Sequence, residues 1–161
     1  MPNWCENELT ITSDNKEQLR EFSEKIKDPE NDRELSLTKL FPCPEELLSG
    51  ISTNNDSLND ESAELITKYG HKDWYDWRVA NWGTKWDVED VELKNCSDDY
   101  VYYCFNSAWS PPTEWIAHVA LMFPDIHFFL KYDETGVGYM GVFKAHGNKT
   151  EDLYIDYSGK L

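Results

Sequence analysis

The sequence predicts an α+β fold: a ferredoxin-like split β-α-β sheet with an inserted helical and loop segment and a C-terminal hairpin. Three observations predict it. Apolar residues alternate with period two in several separate segments, as in half-buried strands. Two stretches carry apolar residues at helical spacing, one after the first strand segment and one between two later ones. Their order is strand, helix, insertion, strand, strand, helix, strand and hairpin, which without the insertion is the split β-α-β repeat.

In residues 7–12, Asn7, Leu9 and Ile11 face one way and Glu8, Thr10 and Thr12 the other. Asp14 is positioned to cap a helix, with Glu17 three residues on as a capping-box variant. Leu19, Phe22 and Ile26 then share one face of a helix over about 15–27, and Asp28-Pro29 stops it. Residues 28–62 are less regular. Leu35, Leu37 and Phe41 read as a short strand, Phe41-Pro42-Cys43-Pro44 as a rigid extended piece, and 49–60 as a polar Asn- and Ser-rich mobile loop. A short helix follows, with Leu65, Ile66 and Tyr69 on one face and Gly70 as its stop.

Residues 86–93 and 100–107 read as strands joined by a turn at 95–99. Tyr100 to Phe105 carries aromatics of both parities, which predicts a central strand covered on both faces. Ser110 is placed to cap a helix opening with Pro111-Pro112, where missing amide donors cost little. Trp115, Ile116, Val119 and Phe123 form its buried stripe, and Pro124 ends it. Ile126, Phe128, Leu130 and Tyr132 alternate in a further strand. Gly136 and Gly138 turn the chain into residues 139–144, and Gly147-Asn148 turns it again toward 153–157. The whole chain, 1–161, reads as one domain, with the insertion spanning 28–85 at a sheet edge or over the face the helices leave open.

Charge narrows the function. Fifteen Lys and Arg stand against 31 Asp and Glu, a formal net charge of −16. Binding along a nucleic acid needs positive charge, so general DNA or RNA binding is disfavoured. An acidic surface is instead attracted to a basic partner protein, although solubility alone also accounts for the charge. The four cysteines form no C-x-x-C pair, which disfavours a structural zinc site. The start Met1-Pro2-Asn3-Trp4 is no signal peptide and no apolar run approaches a membrane span, so a cytoplasmic protein with reduced thiols is expected. No P-loop, nucleophile elbow or zinc-protease motif is present, and no cofactor is expected.

Four groups of residues carry a family resemblance: 1–7 (Met-Pro-Asn-Trp-Cys-Glu-Asn); Trp74-Tyr75-Asp76-Trp77-Arg78 followed by Asn81-Trp82-Gly83-Thr84-Lys85-Trp86-Asp87; Ala108-Trp109-Ser110-Pro111-Pro112; and Tyr132-Asp133-Glu134. In this order they resemble the YubB-type proteins encoded by phages and plasmids, which contain a ferredoxin-like domain. The resemblance spans nearly the whole chain, apart from residues 49–60. It implies a non-enzymatic accessory protein that acts in the bacterial cytoplasm and counters a host defence system by binding a host protein. It brings no catalytic residues with it.

The candidate binding residues are Trp74, Trp77, Arg78, Asn81, Trp82 and Lys85, together with Trp109 and Ser110. On one reading they form a pocket in which indoles stack on a small nucleotide while Arg78, Asn81 and Lys85 donate to it. On the other, the indoles are the core of the insertion and Arg78 stacks on one of them. At Trp109-Ser110 the following helix offers an anion site or a plain cap, the prolines weakening the former. Asp133 and Glu134 are a candidate carboxylate pair, with a solvated turn as the alternative. His71, His118, His127 and His146 show no ligand spacing, and Cys104 reads as a small core residue. An exposed sheet edge is compatible with a symmetric homodimer.

Overall fold

In a computed structural model that describes residues 2–49 and 60–159, six strands form one antiparallel sheet in the order β2-β3-β1-β4-β5-β6. The strands are β1 (Trp4–Thr12), β2 (Glu89–Cys96), β3 (Tyr100–Ala108), β4 (His127–Glu134), β5 (Tyr139–His146) and β6 (Lys149–Asp156). The helices are α1 (Lys16–Lys25), α2 (Leu37–Leu40), α3 (Glu45–Leu48), α4 (Asp60–Tyr69), α5 (Trp74–Trp82) and α6 (Thr113–Met122). The first four strands are the split β-α-β arrangement, and β5 and β6 extend it as a hairpin beside β4. The expected ferredoxin-like α+β fold is therefore present.

β1 lies between β3 and β4 and is in register with both: Leu9 faces Tyr103 on one side and Leu130 on the other. Its odd residues Cys5, Asn7, Leu9 and Ile11 are buried, while Glu6 and Glu8 are exposed. Phe22 of α1 meets Phe123 and Phe128 edge-on at 5.2 and 5.4 Å, and Trp115 at 6.4 Å, so α1 and α6 close on one core.

The insertion joins that same core, which corrects the expectation of an edge position or the opposite face. Leu35, Leu37, Leu47, Trp77 and Trp82 are buried with Phe22, Trp115 and Ile116. The segment expected as a strand through Leu35, Leu37 and Phe41 contains helix α2 instead. The reason is a distant cap: Asp87 accepts hydrogen bonds from the backbone amides of Leu37 (2.8 Å) and Thr38 (3.3 Å) and from the hydroxyls of Ser36 (2.7 Å) and Thr38 (2.8 Å). Trp115 Nε1 donates to O of Leu37, the first residue of the helix, at 2.9 Å, and Trp82 Nε1 to O of Phe41, just past its last, at 2.8 Å.

Smaller departures have local causes. Asn15, not Asp14, caps α1, because its side chain accepts from Gln18 N at 3.1 Å. Ser110 does not cap α6, whose cap position is Pro112; its hydroxyl donates to Gly83 O and ties α5 to the start of α6. Ile66 is exposed although Leu65 and Tyr69 of α4 pack on the core. Trp86 lies before β2 rather than in it. Most of the polar loop expected over 49–60 lies outside the described residues.

Removing the Asp87 carboxylate strands five donors at once, the Val88 amide (2.8 Å) among them. Asp87→Ala is expected to cost about 2–4 kcal/mol in unfolding free energy, measured by urea denaturation, with Asp87→Asn losing less.

Candidate functional site

The sheet has two unlike faces. One is buried beneath the helices. On the other, no helix among the described residues packs against Glu6, Glu8, Cys104, Asn106, Lys131 or Asp133. This corrects the expectation that β3 is covered on both sides: Val101, Tyr103, Phe105 and Ser107 are buried, and Tyr102, Cys104 and Asn106 are half-exposed on the open face. Cys104 is therefore not a core residue.

The open face holds a groove of about 750 Å³. Five carboxylates line it (Glu6, Glu8, Asp90, Glu92, Asp133) against two lysines (Lys94, Lys131). Both lysines are engaged, Lys131 with Glu8 at 3.1 Å and Lys94 with Glu92. Asn106 donates to Asp90 at 3.0 Å, and the Tyr157 hydroxyl donates to Asp133, which pushes the phenol up to about 12. The Tyr102 hydroxyl is likewise raised, first by its hydrogen bond with Cys104 and then by burial. Toward the hairpin the lining becomes apolar: Met140, Val142, Leu153 and Ile155. The groove thus joins a negative half to an apolar half.

The tryptophan-rich cluster is divided. Trp77 and Trp82 are 6% and 0% exposed and meet edge-on at 6.1 Å, so their faces are closed to a ligand. Arg78 lies over the Trp74 and Trp82 rings at 5.1 and 4.8 Å and donates to Lys85 O at 3.4 Å. Asn81 donates to Trp77 O within its own helix at 2.8 Å. Packing accounts for these residues, as it does for Ser110. Lys85 and Trp109 differ. The Lys85 ammonium sits 4.3 Å from the Trp86 ring and 5.6 Å from that of Trp109, and these indoles are 37% and 50% exposed. Trp109 holds φ +69°, a left-handed conformation uncommon for a bulky side chain, with its N–H bonded to Asn3 O at 2.9 Å.

Asp133 and Glu134 do not converge. Adjacent on β4, they point to opposite faces. Glu134 is buried and accepts from the amides of Gly136 (2.7 Å) and Val137 (2.8 Å), which makes it the anchor of the following turn. Among the described residues no three His, Cys, Asp or Glu side chains could hold a metal ion together. Cross-strand His127 and His146 stack at 3.7 Å, and His118 stacks on Phe41 at 3.6 Å, burial holding it below its ordinary value.

The acidic and apolar groove was not assembled by reading the sequence, although its signal was there. Glu8 reads as the polar side of its strand and Asp133 as one of a carboxylate pair, while Glu6 and Lys131 alternate with core residues in the same strands without drawing a reading of their own. Only the strand order brings them beside Met140 and Leu153.

Residues 81–160 match the family model for the ferredoxin-like domain in Api92-like protein. The chain also matches the crystal structure of a protein api92 from Yersinia pseudotuberculosis with TM-score 0.61 and 11% identity, over 100% of both chains. At that identity the likeness shows the fold alone. No curated protein matches the chain. Among the described residues no helix is long and apolar enough to cross a membrane.

Two measurements check these placements. Trp82→Ala should lower unfolding free energy by about 3–5 kcal/mol, and Trp109→Ala should change it by less than about 1 kcal/mol. In native protein a thiol reagent should label exposed Cys96 first and half-exposed Cys104 next, as read by mass spectrometry of peptides. Cys5, buried and pushed up to about 12 by desolvation, should react after unfolding, as should buried Cys43.

Proposed function

We propose that this chain is a non-enzymatic binding protein whose open sheet face captures a basic segment of a partner protein. The observation that carries the reading is the groove's composition, in which carboxylates outnumber lysines and border an apolar strip. A chain presenting Lys or Arg on one side and aliphatic residues on the other satisfies both halves. The carboxylates steer its approach, and burial of the apolar strip supplies most of the affinity. The net charge of −16 acts in the same direction at long range. Resemblance to YubB-type phage and plasmid proteins supports a bacterial host protein as the partner, and a component of host defence within that class. The cytoplasm of the host cell is the corresponding compartment.

A second reading keeps a small nucleotide ligand, with the chain as its sponge. Its surviving support is Lys85 between the exposed indoles of Trp86 and Trp109, a local cation beside stacking surfaces. Native mass spectrometry of protein purified from bacterial cells separates the two. A nucleotide-sized increment over the 18.9 kDa chain, lost in Lys85→Ala, would favour the sponge.

The main reading predicts that a fluorescent amphipathic Lys/Leu peptide binds at low salt and weakens steadily as salt rises. Glu6→Lys/Glu8→Lys should weaken it at least about tenfold with unchanged circular dichroism, and Val142→Asp should do so by removing the apolar contact. Bound peptide should slow labelling of Cys104. Equal affinity in wild type and both variants would refute the groove as the site.

A further inference from the structure

The two outer strands of the sheet are built differently. The register of β2 on β3 shifts twice, between Glu89 and Glu92 and between Leu93 and Asn95, and Asp90 holds φ +50°. Bulges bend an edge and break its line of outward backbone groups, a common protection against edge-to-edge pairing. β6 at the opposite edge has no such break. It pairs with β5 in continuous register from Tyr139↔Asp156 to His146↔Lys149. Its Leu153, Tyr154 and Ile155 are 64%, 56% and 49% exposed. We infer that β6 is the interface of a homodimer, in which two copies pair antiparallel about a two-fold axis and join their sheets into one.

Backbone geometry and charge select the register. Tyr157 donates its backbone N–H to Gly138 O at 2.8 Å, on the β5 side. Backbone groups alternate in direction along a strand, so Thr150, Asp152 and Tyr154 turn their N–H and C=O groups out of the edge. A two-fold axis normal to the sheet pairs residues of the same face, so it must pass through a residue position. An axis at Asp152 sets two Asp152 carboxylates opposite each other, and one at Glu151 opposes two glutamates. An axis at Tyr154 sets each Asp152 against Asp156 of the other copy. All three bring like charges together, which is unfavourable. An axis at Leu153 opposes no like charges. It sets Leu153 against Leu153, Glu151 beside Ile155, and Asp152 against Tyr154, the last two exchanging backbone hydrogen bonds. Axes nearer either end shorten the ladder.

The pairing does not depend on what the groove binds, but it changes the surface offered. Leu153 and Ile155 lie on the open face, so the dimer carries two acidic grooves flanking one shared apolar seam.

Salt separates this inference from the binding reading. Each copy carries −16, so dimerisation should strengthen as salt screens the repulsion, whereas capture of a basic peptide should weaken. Sedimentation equilibrium of the full chain should give twice 18.9 kDa, with the dimer fraction rising with salt. Tyr154→Pro removes an outward N–H and spares the ladder to β5, so it should give monomer with unchanged circular dichroism. In a Cys96→Ser/Cys104→Ser background, Leu153→Cys should cross-link to its own counterpart under mild oxidation and Glu151→Cys should not. A monomer mass at every concentration and salt overturns the inference. So does a dimer that survives Tyr154→Pro, or one in which Leu153→Cys cross-links no better than Glu151→Cys; should Tyr154→Pro fail to fold, that cross-linking contrast decides.

Discussion

β1 is the strand from which the rest of the architecture follows. It pairs with β3 on one side and β4 on the other, so each β-α-β unit must step over an occupied position to place its second strand. With the usual right-handed crossover, the crossover helices α1 and α6 then land on the same face of the sheet. That face becomes the core, and every odd residue of β1 from Cys5 to Ile11 is committed to it. The opposite face receives no helix among the described residues. The groove is a consequence of this one-sided covering rather than a separately folded feature.

The insertion follows the same logic. Short helices such as α2 and α3 have little stability of their own, because nucleation costs more than a single turn returns. Helix α3 buries Leu47 in the core, and α2 persists because tertiary partners bind its backbone. Asp87, next to β2, supplies the acceptors that the α2 amides need. The indole N–H groups of Trp115 and Trp82 donate to the carbonyls of Leu37, the first residue of α2, and Phe41, just past its last. The tryptophan-rich segment is therefore structural at Trp77, which is buried, and at Trp82, where burial and an indole hydrogen bond coincide. It is open to other molecules at Lys85, Trp86 and Trp109, where they do not.

Acidity and apolarity serve different ends on the open face. Carboxylates repel like-charged surfaces at long range and admit basic ones. In the proposed capture of a basic segment, the strip from Met140 to Ile155 would supply the apolar contact area. A bulged β2 edge and an unbroken β6 edge then distinguish where the sheet ends from where it can continue.

The sequence by itself determined the strands, the helices α1 and α6 and the core residues along them, because period-two and period-3.6 patterns report which side of an element is buried. Leu9, Ile11, Phe22, Trp115, Phe128 and Leu130 all follow that rule. It also carried the terminal hairpin through its glycine and asparagine turns. What it did not determine depended on contacts between distant residues. Residues 35–41 alternate well enough for a strand, and Asp87, about fifty positions away, makes part of that stretch a helix. Cys104 sits in an aromatic run that reads as core, yet pleating turns it to the open face. Asp133 and Glu134 are neighbours in sequence and lie on opposite faces of the sheet. The groove was left unassembled for the same reason. Its carboxylates and its aliphatic strip come from separate strands, and only hydrogen-bonded strand order decides which side chains share a surface.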